Sequence, residues 1–206
     1  MMRKGNLFII TAPSGAGKTT LVNELVKHEE NLRVSVSHTT RPARSGEQDG
    51  VDYYFIEEPE FTSMLSKGDF LESAQVYGYH YGTSQTWVNH KLAKGLDIVL
   101  EIDWQGAKQV RKLYPESCSI FLLPPSIAAL TERLLERAQD DSDTIESRMQ
   151  QAQEVIQHVA EADYVVVNDI FDDALTDIRA ILRTQGLTVT CQQKNLSRLL
   201  TNLTHR

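Results

Sequence analysis

The run Leu7-Phe-Ile-Ile-Thr-Ala-Pro-Ser-Gly-Ala-Gly-Lys-Thr-Thr20, followed by the helix-like Leu21–His28, constrains this chain more than any other feature. An apolar run ends in a turn of small residues, and a Lys-Thr pair then opens an amphipathic stretch. That order reads as strand, phosphate loop, helix. Such a loop wraps phosphates with backbone N–H groups at the positive end of a helix dipole. Residues Ala12, Pro13, Ser14, Gly15, Ala16, Gly17, Lys18, Thr19 and Thr20 are the candidate cradle for a nucleoside triphosphate. Lys18 is expected to reach the β- and γ-phosphates, and the Thr19 hydroxyl to ligand Mg²⁺. The pattern usually opens with Gly. Ala12 holds that place here, which is compatible with a negative φ. A plain glycine-rich turn explains the glycines but not the Lys-Thr pair.

Apolar runs then alternate with helical periodicity. Strands are expected at Leu7–Thr11, 34–36, 98–102, 119–123 and Tyr164–Val167. Helices are expected at 20–29, 86–94, 106–113, 127–138, 143–160 and 173–184. Runs such as Ile98-Val-Leu are apolar without alternation, as buried parallel strands should be. The expected fold is α/β, a phosphate-loop core whose parallel sheet is flanked by helices on both faces. Two stretches break the rhythm. The first, 37–84, is rich in Gly and Tyr and reads as a small mixed α/β insertion with a short helix near Pro59–Ser66. The second, 125–153, is strongly charged and reads as a helical lid. The core is then 1–36, 85–124 and 154–206. In the tail, Leu196, Leu199, Leu200 and Leu203 share one helical face. Packing on the chain's own core is the ordinary reading of that face, and a seam between copies is the alternative.

The chain has 206 residues and a formal net charge of −7. That charge argues against nucleic-acid or membrane partners, so an anion site must be a local basic cluster. Cys118 and Cys191 show no ligand spacing or disulfide framework, which fits a reducing compartment. The run Leu7–Ile10 is too short for a signal segment or membrane span, so a soluble cytoplasmic protein is expected.

One local basic cluster exists. Arg41 and Arg44 lie close together in the first insertion. With the hydroxyls of Tyr53 and Tyr81 they can bind a phosphate dianion. Asp103 ends an apolar strand, where α/β folds place ligands, and is the candidate acid near Mg²⁺. Its bland reading is a helix cap for the segment at Trp104. Arg133 and Arg137 are four apart on one helix face. His38 and His80 lack zinc spacing and read as packing groups or as outer-shell groups around the site.

Taken together, these motifs identify a resemblance. The phosphate loop, Ser37-His-Thr-Thr-Arg41-Pro-Ala-Arg44, Gly50-Val-Asp-Tyr53, Phe70-Leu-Glu72, Tyr79-His-Tyr-Gly-Thr83 and Ile102-Asp-Trp-Gln-Gly106 resemble the bacterial-type guanylate kinase family, from about Asn6 to Arg183. The resemblance implies a Mg²⁺-dependent transfer of a phosphoryl group from ATP to GMP, with dGMP a second acceptor, in purine nucleotide metabolism. It implies that Arg41, Arg44, Tyr53 and Tyr81 hold the GMP phosphate and that Glu72 reads guanine. A carboxylate can accept from both N1–H and the N2 amino group. Ser37 and Thr83 match hydroxyls directed at guanine O6. Glu101 matches a position that is often Asp, near the guanine and the metal. Arg133, Arg137 and Arg148 match lid arginines that offset charge on the transferring group, and Ala138 stands where Gly is common. Asn168 and Asp169 match a segment bordering adenine. The rival readings are a kinase for another monophosphate and a scaffold module that binds phosphopeptides without catalysis.

Overall fold

The computed structural model describes residues 4–137 and 142–204, and side chains throughout them except at 136, 137 and 142–148. In chain order the elements are β1 Leu7–Thr11, α1 Lys18–His28, β2 Leu32–Val34, β3 His38–Thr39, β4 Tyr54–Phe55, α2 Glu58–Lys67, β5 Phe70–Val76 and β6 Tyr79–Ser84. Then come α3 Gln85–Ala93, β7 Asp97–Glu101, α4 Trp104–Leu113, β8 Cys118–Leu123, α5 Ile127–Arg137, α6 Ser142–Ile156, a 3₁₀ turn Gln157–Glu161 and β9 Tyr164–Val167. The chain continues through α7 Phe171–Gly186, α8 Val189–Asn195 and α9 Ser197–Thr204.

Two sheets result. The larger is parallel, in the order β2-β7-β1-β8-β9. Its central strands β7, β1 and β8 are almost wholly buried and apolar because both of their faces are covered, while the edge strand β9 is partly exposed. Leu7 and Ile9 of β1 point to one face, where they meet Ile98 and Leu100 of β7, Val88 and Leu92 of α3 and Val110 of α4. Phe8 and Ile10 point to the other, against Leu21, Val22 and Leu25 of α1 and Ala174 and Ile178 of α7. β1 lies at the centre, with Ile10 beside Glu101 of β7 and Phe121 of β8 beside Thr11. The loop after β1 therefore opens above the carboxyl ends of three strands, where open α/β sheets bind ligands.

The second sheet is mixed, in the order β4-β3-β6-β5, and α2 buries Phe61 against it. His38 and His80 belong to its packing as expected. His38 stacks on Tyr54 at 4.8 Å and His80 on Phe61 at 5.2 Å. Burial holds the His38 imidazole below its usual pKa.

Three expectations are corrected. The strand expected at 34–36 runs instead over Leu32–Val34, because pairing with β7 begins at Leu32 and only one further bond, Ser35 N to Val99 O, extends it. The helix expected over 143–160 turns 3₁₀ after Ile156. The tail does not pack its leucine face on the core. Leu196, Leu199, Leu200 and Leu203 remain 40–72% exposed, and the helix is broken at Leu196 into α8 and α9. Among the described residues, no helix is long and apolar enough to cross a membrane.

Candidate active site

The phosphate loop is built by backbone conformation and held from behind. Gly17 has φ 87°, in the left-handed region, and caps α1. A side chain there is excluded twice, by that φ and by Asn168, whose Nδ2 would lie 2.5 Å from a Cβ. Asn168 is buried, and its Nδ2 donates to Ala16 O at 2.8 Å, bracing the loop from the end of β9. Ala16 N donates to Pro13 O at 3.2 Å. Ala12 does not take a positive φ, so the missing glycine costs nothing there. Ser14 is half-buried, while Thr19 and Thr20 are exposed at the mouth of the loop. The first turn of α1 contains no acidic residue, so its N–H groups face an anion site unopposed.

Around the loop stands a cluster of acids. Lys18 Nζ donates to Ile102 O at 3.1 Å. Burial lowers its pKa, and Glu101, Asp103 and Glu72 pull the other way. The Thr19 hydroxyl donates to the Glu101 carboxylate. Asp103 caps α4, accepting from Gly106 N at 2.9 Å, so the bland reading of this residue is realised. It also faces the site. Burial raises its pKa, against the pull of the Gly106 N–H and Lys18. Among the described residues, no group of three His, Cys, Asp or Glu side chains forms a metal centre. The oxygen donors Thr19, Glu101 and Asp103 beside a phosphate loop fit Mg²⁺, which keeps several waters and takes few protein ligands.

The second sheet supplies the facing wall. Glu72 is buried at 3% exposure, and Thr83 Oγ1 donates to its Oε1 at 2.6 Å. The Ser37 and Thr83 hydroxyls are 3.4 Å apart. Burial pushes the Glu72 carboxyl up to about 7, Asp103 adds to the rise, and the Thr83 hydrogen bonds oppose it. Its other oxygen lies against α4, where a Cβ on Gly106 would stand 2.4 Å from Oε2. A side chain at Gly106 would push the Glu72 carboxylate out of this position. The three polar groups form one buried face, able to accept from and donate to the edge of a flat polar ring.

Beside that face, Arg41 is 8% exposed, 5.4 Å from the Tyr53 ring centre and 5.8 Å from that of Phe55. Burial opposes its charge, but hydrogen bonds to Glu47 and Tyr81 outweigh it and raise the pKa. Tyr53 meets Tyr81 edge to face at 5.8 Å. Burial drives the Tyr53 phenol up to about 12, with Glu101 across the cleft contributing, so it stays a donor at neutral pH. Arg44 is exposed, with its side chain toward solvent.

Glu47 is the residue that sequence reasoning missed. Its Oε1 accepts from Arg41 Nη2 at 2.8 Å, and its Oε2 from Arg44 N at 2.7 Å. Glu47 N returns a bond to Arg44 O at 3.1 Å. The Glu47 carboxylate and its own N–H thus close a tight turn on Arg44 from both sides. The spacing Arg44-Ser-Gly-Glu47 was the signal available for it. Glu47, Pro42 O and Tyr81 take up only part of the five-donor guanidinium fork, which leaves donors for an incoming phosphate. Glu47→Ala is expected to raise the KM for a phosphate-bearing acceptor about tenfold. The KM for ATP should stay put, and initial-rate kinetics with each substrate varied in turn check this.

The three arginines of the segment 125–153 divide. Arg133 Nη2 donates to Asn168 O at 3.0 Å, and its Nη1 is buried without a partner. The guanidinium is thus fixed next to the residue that braces the loop. α5 also presses Leu130 and Leu134 into a small core with Ala152 of α6. The side chains of Arg137 and Arg148, and all of Ala138, lie outside the described residues. Asp169 is exposed just past the Asn168 brace.

A phosphate loop with a lysine, an acid cluster at the strand ends, and a facing basic pocket define a phosphate-loop nucleotide kinase. The family model described as guanylate kinase matches residues 4–185. The guanylate kinase of Methylobacillus flagellatus is 60% identical over 184 residues, spanning 89% of this chain and 91% of its own. That of Coxiella burnetii is 53% identical over 205 residues, spanning 100% of each chain. The solved structure of guanylate kinase from Anaplasma phagocytophilum superposes with a TM-score of 0.80 at 34% identity, covering 98% of this chain and 96% of its own. The chain belongs to the guanylate kinase family, whose members are nucleoside monophosphate kinases.

Proposed function

We propose that the cleft holds ATP on the phosphate loop and GMP on the second sheet, as this chain's way of performing the family's transfer of the γ-phosphoryl group from ATP to GMP. The observation that carries the assignment is the buried Glu72–Thr83–Ser37 face next to the buried Arg41. As a carboxylate, Glu72 accepts from guanine N1–H and the N2 amino group, and Ser37 donates to O6, joined by Thr83 when its single hydroxyl proton turns from Glu72 to the base. Adenine has neither of those donors, which leaves Glu72 unpaired and rejects AMP. dGMP keeps the same base and is a second acceptor.

In the transfer, a phosphate oxygen of GMP forms a bond to the γ-phosphorus, the bond from that phosphorus to the β-bridging oxygen breaks, and ADP leaves. The attacking oxygen is already ionised near neutral pH, so no general base is required. The protein contributes position and charge. Arg41, Arg44, Tyr53 and Tyr81 hold the acceptor phosphate. Lys18 and the loop N–H groups hold the β- and γ-phosphates. Arg133, Arg137 and Arg148, on the segment 125–153, offset charge on the moving group, and Asp169 lies at the adenine side. Thr19 and Asp103, with Glu101, would hold Mg²⁺, which when bound offsets phosphate charge.

An ADP-release assay with ATP and Mg²⁺ tests this against GMP, dGMP, AMP, UMP and CMP. The expected result is turnover confined to the two guanine nucleotides. Turnover with another acceptor would remove the guanine assignment, and phosphopeptide binding without turnover would favour a scaffold module. We place the protein in the cytoplasm, without nucleic-acid or membrane partners. The exposed leucines of the tail form a seam between copies. Truncation before Gln192 should then lower the mass in solution on light scattering, and an unchanged mass removes the seam.

A further inference from the structure

Trp104 and His158 lie outside every role assigned above, yet their rings are parallel within 8° at a centroid distance of 3.6 Å. Trp104 is the first residue of α4, directly after Asp103. His158 sits in the 3₁₀ turn that follows α6. Its Nδ1 lies 2.9 Å from Glu161 Oε1, which sets the plane of the ring. Two turns further along α4, Arg111 makes a two-pronged bond to Asp163 at 2.6 and 2.9 Å. Asp163 is itself tied to β8, accepting from Ser119 N at 2.8 Å. The segment 158–163 therefore clamps α4 at both ends of one helix face.

The groups carried by α4 explain why its placement matters. Asp103 caps it, and Gly106 touches the Glu72 carboxylate. Gln109 grips the residue after Glu72 on both sides, donating to Ser73 O at 2.8 Å and accepting from Ser73 N at 3.2 Å. A shift of α4 displaces Glu72, which it meets through Gly106 and Gln109. The phosphate loop is less exposed to that shift, because Asn168 braces it separately from β9.

We propose that Trp104 and His158 are positioning residues for the acceptor side of the reaction: their stack fixes the first turn of α4, and through Gly106 and Gln109 it seats Glu72. The proposal rests on Glu72 being the guanine reader. Its test is the pair His158→Ala and His158→Phe in the full chain, with initial rates measured well below each variant's Tm. His158→Ala should lose about tenfold in kcat/KM for GMP, with the KM for ATP within about twofold of the parent. His158→Phe restores a flat ring and should recover to within about twofold of the parent. In a Trp87→Phe background, where Trp104 is the one remaining tryptophan, GMP should change its emission, and His158→Ala should abolish that change. Parental kcat/KM in His158→Ala, equal damage to GMP and ATP, or a Phe variant as poor as the Ala variant would each overturn the proposal. Glu72→Gln run alongside separates the two readings. Intact GMP use there removes the guanine assignment, whereas a crippled Glu72→Gln beside a parental His158→Ala removes only the role of the stack.

Discussion

Lys18→Ala should lower kcat by about a thousandfold with both nucleotides saturating, the scale expected when a preorganised donor to the reacting group is deleted. The Nζ atom stands at the end of β7 and the mouth of the phosphate loop, hydrogen-bonded to Ile102 O. Glu101, Asp103 and Glu72 surround it. Removing it takes away the cation nearest the β- and γ-phosphates and leaves Glu101 and Asp103 beside them without that counter-ion. Stability should respond differently. A lysine whose pKa is lowered by burial weakens the fold below that pKa, and the penalty fades as pH rises past it. Its deletion relieves a desolvation cost while the acids lose a counter-ion, so the two effects offset. The thermal midpoint should therefore stay within a few degrees of the parent. Loss of turnover with a retained midpoint marks Lys18 as part of the chemistry. Near-normal turnover would remove that role.

How much of this was legible in the sequence depended on how local each feature is. The phosphate loop is contiguous, and its glycines and Lys-Thr pair serve one local geometry, so it could be read directly. The parallel core followed from apolar runs such as Ile98-Val-Leu100, because a strand covered on both faces leaves no other pattern. The acceptor pocket was readable only as a set of motifs resembling a family. Nothing in the spacing of Ser37, Glu72 and Thr83 says that the three meet. Glu47 was missed although its partners are three and six residues away, since a glutamate after Ser-Gly looks like a solvated loop residue. The Asn168 brace and the Trp104–His158 stack join residues that are distant in sequence, and one-dimensional periodicity carries no trace of such contacts. The tail leucines show the converse case. Periodicity placed them on one face, but it does not state what covers that face, and the core does not.

Glu72→Gln should cut kcat/KM for GMP by about a thousandfold, somewhat less than the discrimination reached when a buried polar site meets an analogue lacking its partner. A glutamine keeps the shape and one acceptor, but its NH₂ group meets a guanine donor head on. The KM for ATP should stay within about twofold, because the phosphate loop does not depend on this side chain. The same substitution has an opposite expected effect on the nucleotide-free fold. With its pKa raised by burial to about 7, the Glu72 carboxyl is accommodated as the neutral acid. A carboxyl whose folded pKa lies above its unfolded value contributes stability at low pH and loses it as pH climbs through the folded value. Between about pH 5 and 8 the parent should lose up to roughly 3 kcal/mol from this group. Glutamine, which resembles the neutral acid, should remove that slope and leave the variant more stable than the parent at pH 8. Guanine binding runs the other way, since its two donors demand the charged form, so GMP affinity should rise with pH across the same range in the parent. The GMP phosphate also titrates there, and the slope that survives in Glu72→Gln measures that contribution. Denaturant melts of the nucleotide-free protein at pH 5, 6, 7 and 8, paired with GMP titrations, read both effects. A parental melt series that is flat in pH, or a variant that uses GMP normally, would show that Glu72 is an ordinary structural carboxylate. A variant that is sturdier and nearly unable to use GMP is the expected pattern, because the parent keeps a charge buried for the sake of its ligand at the expense of its fold.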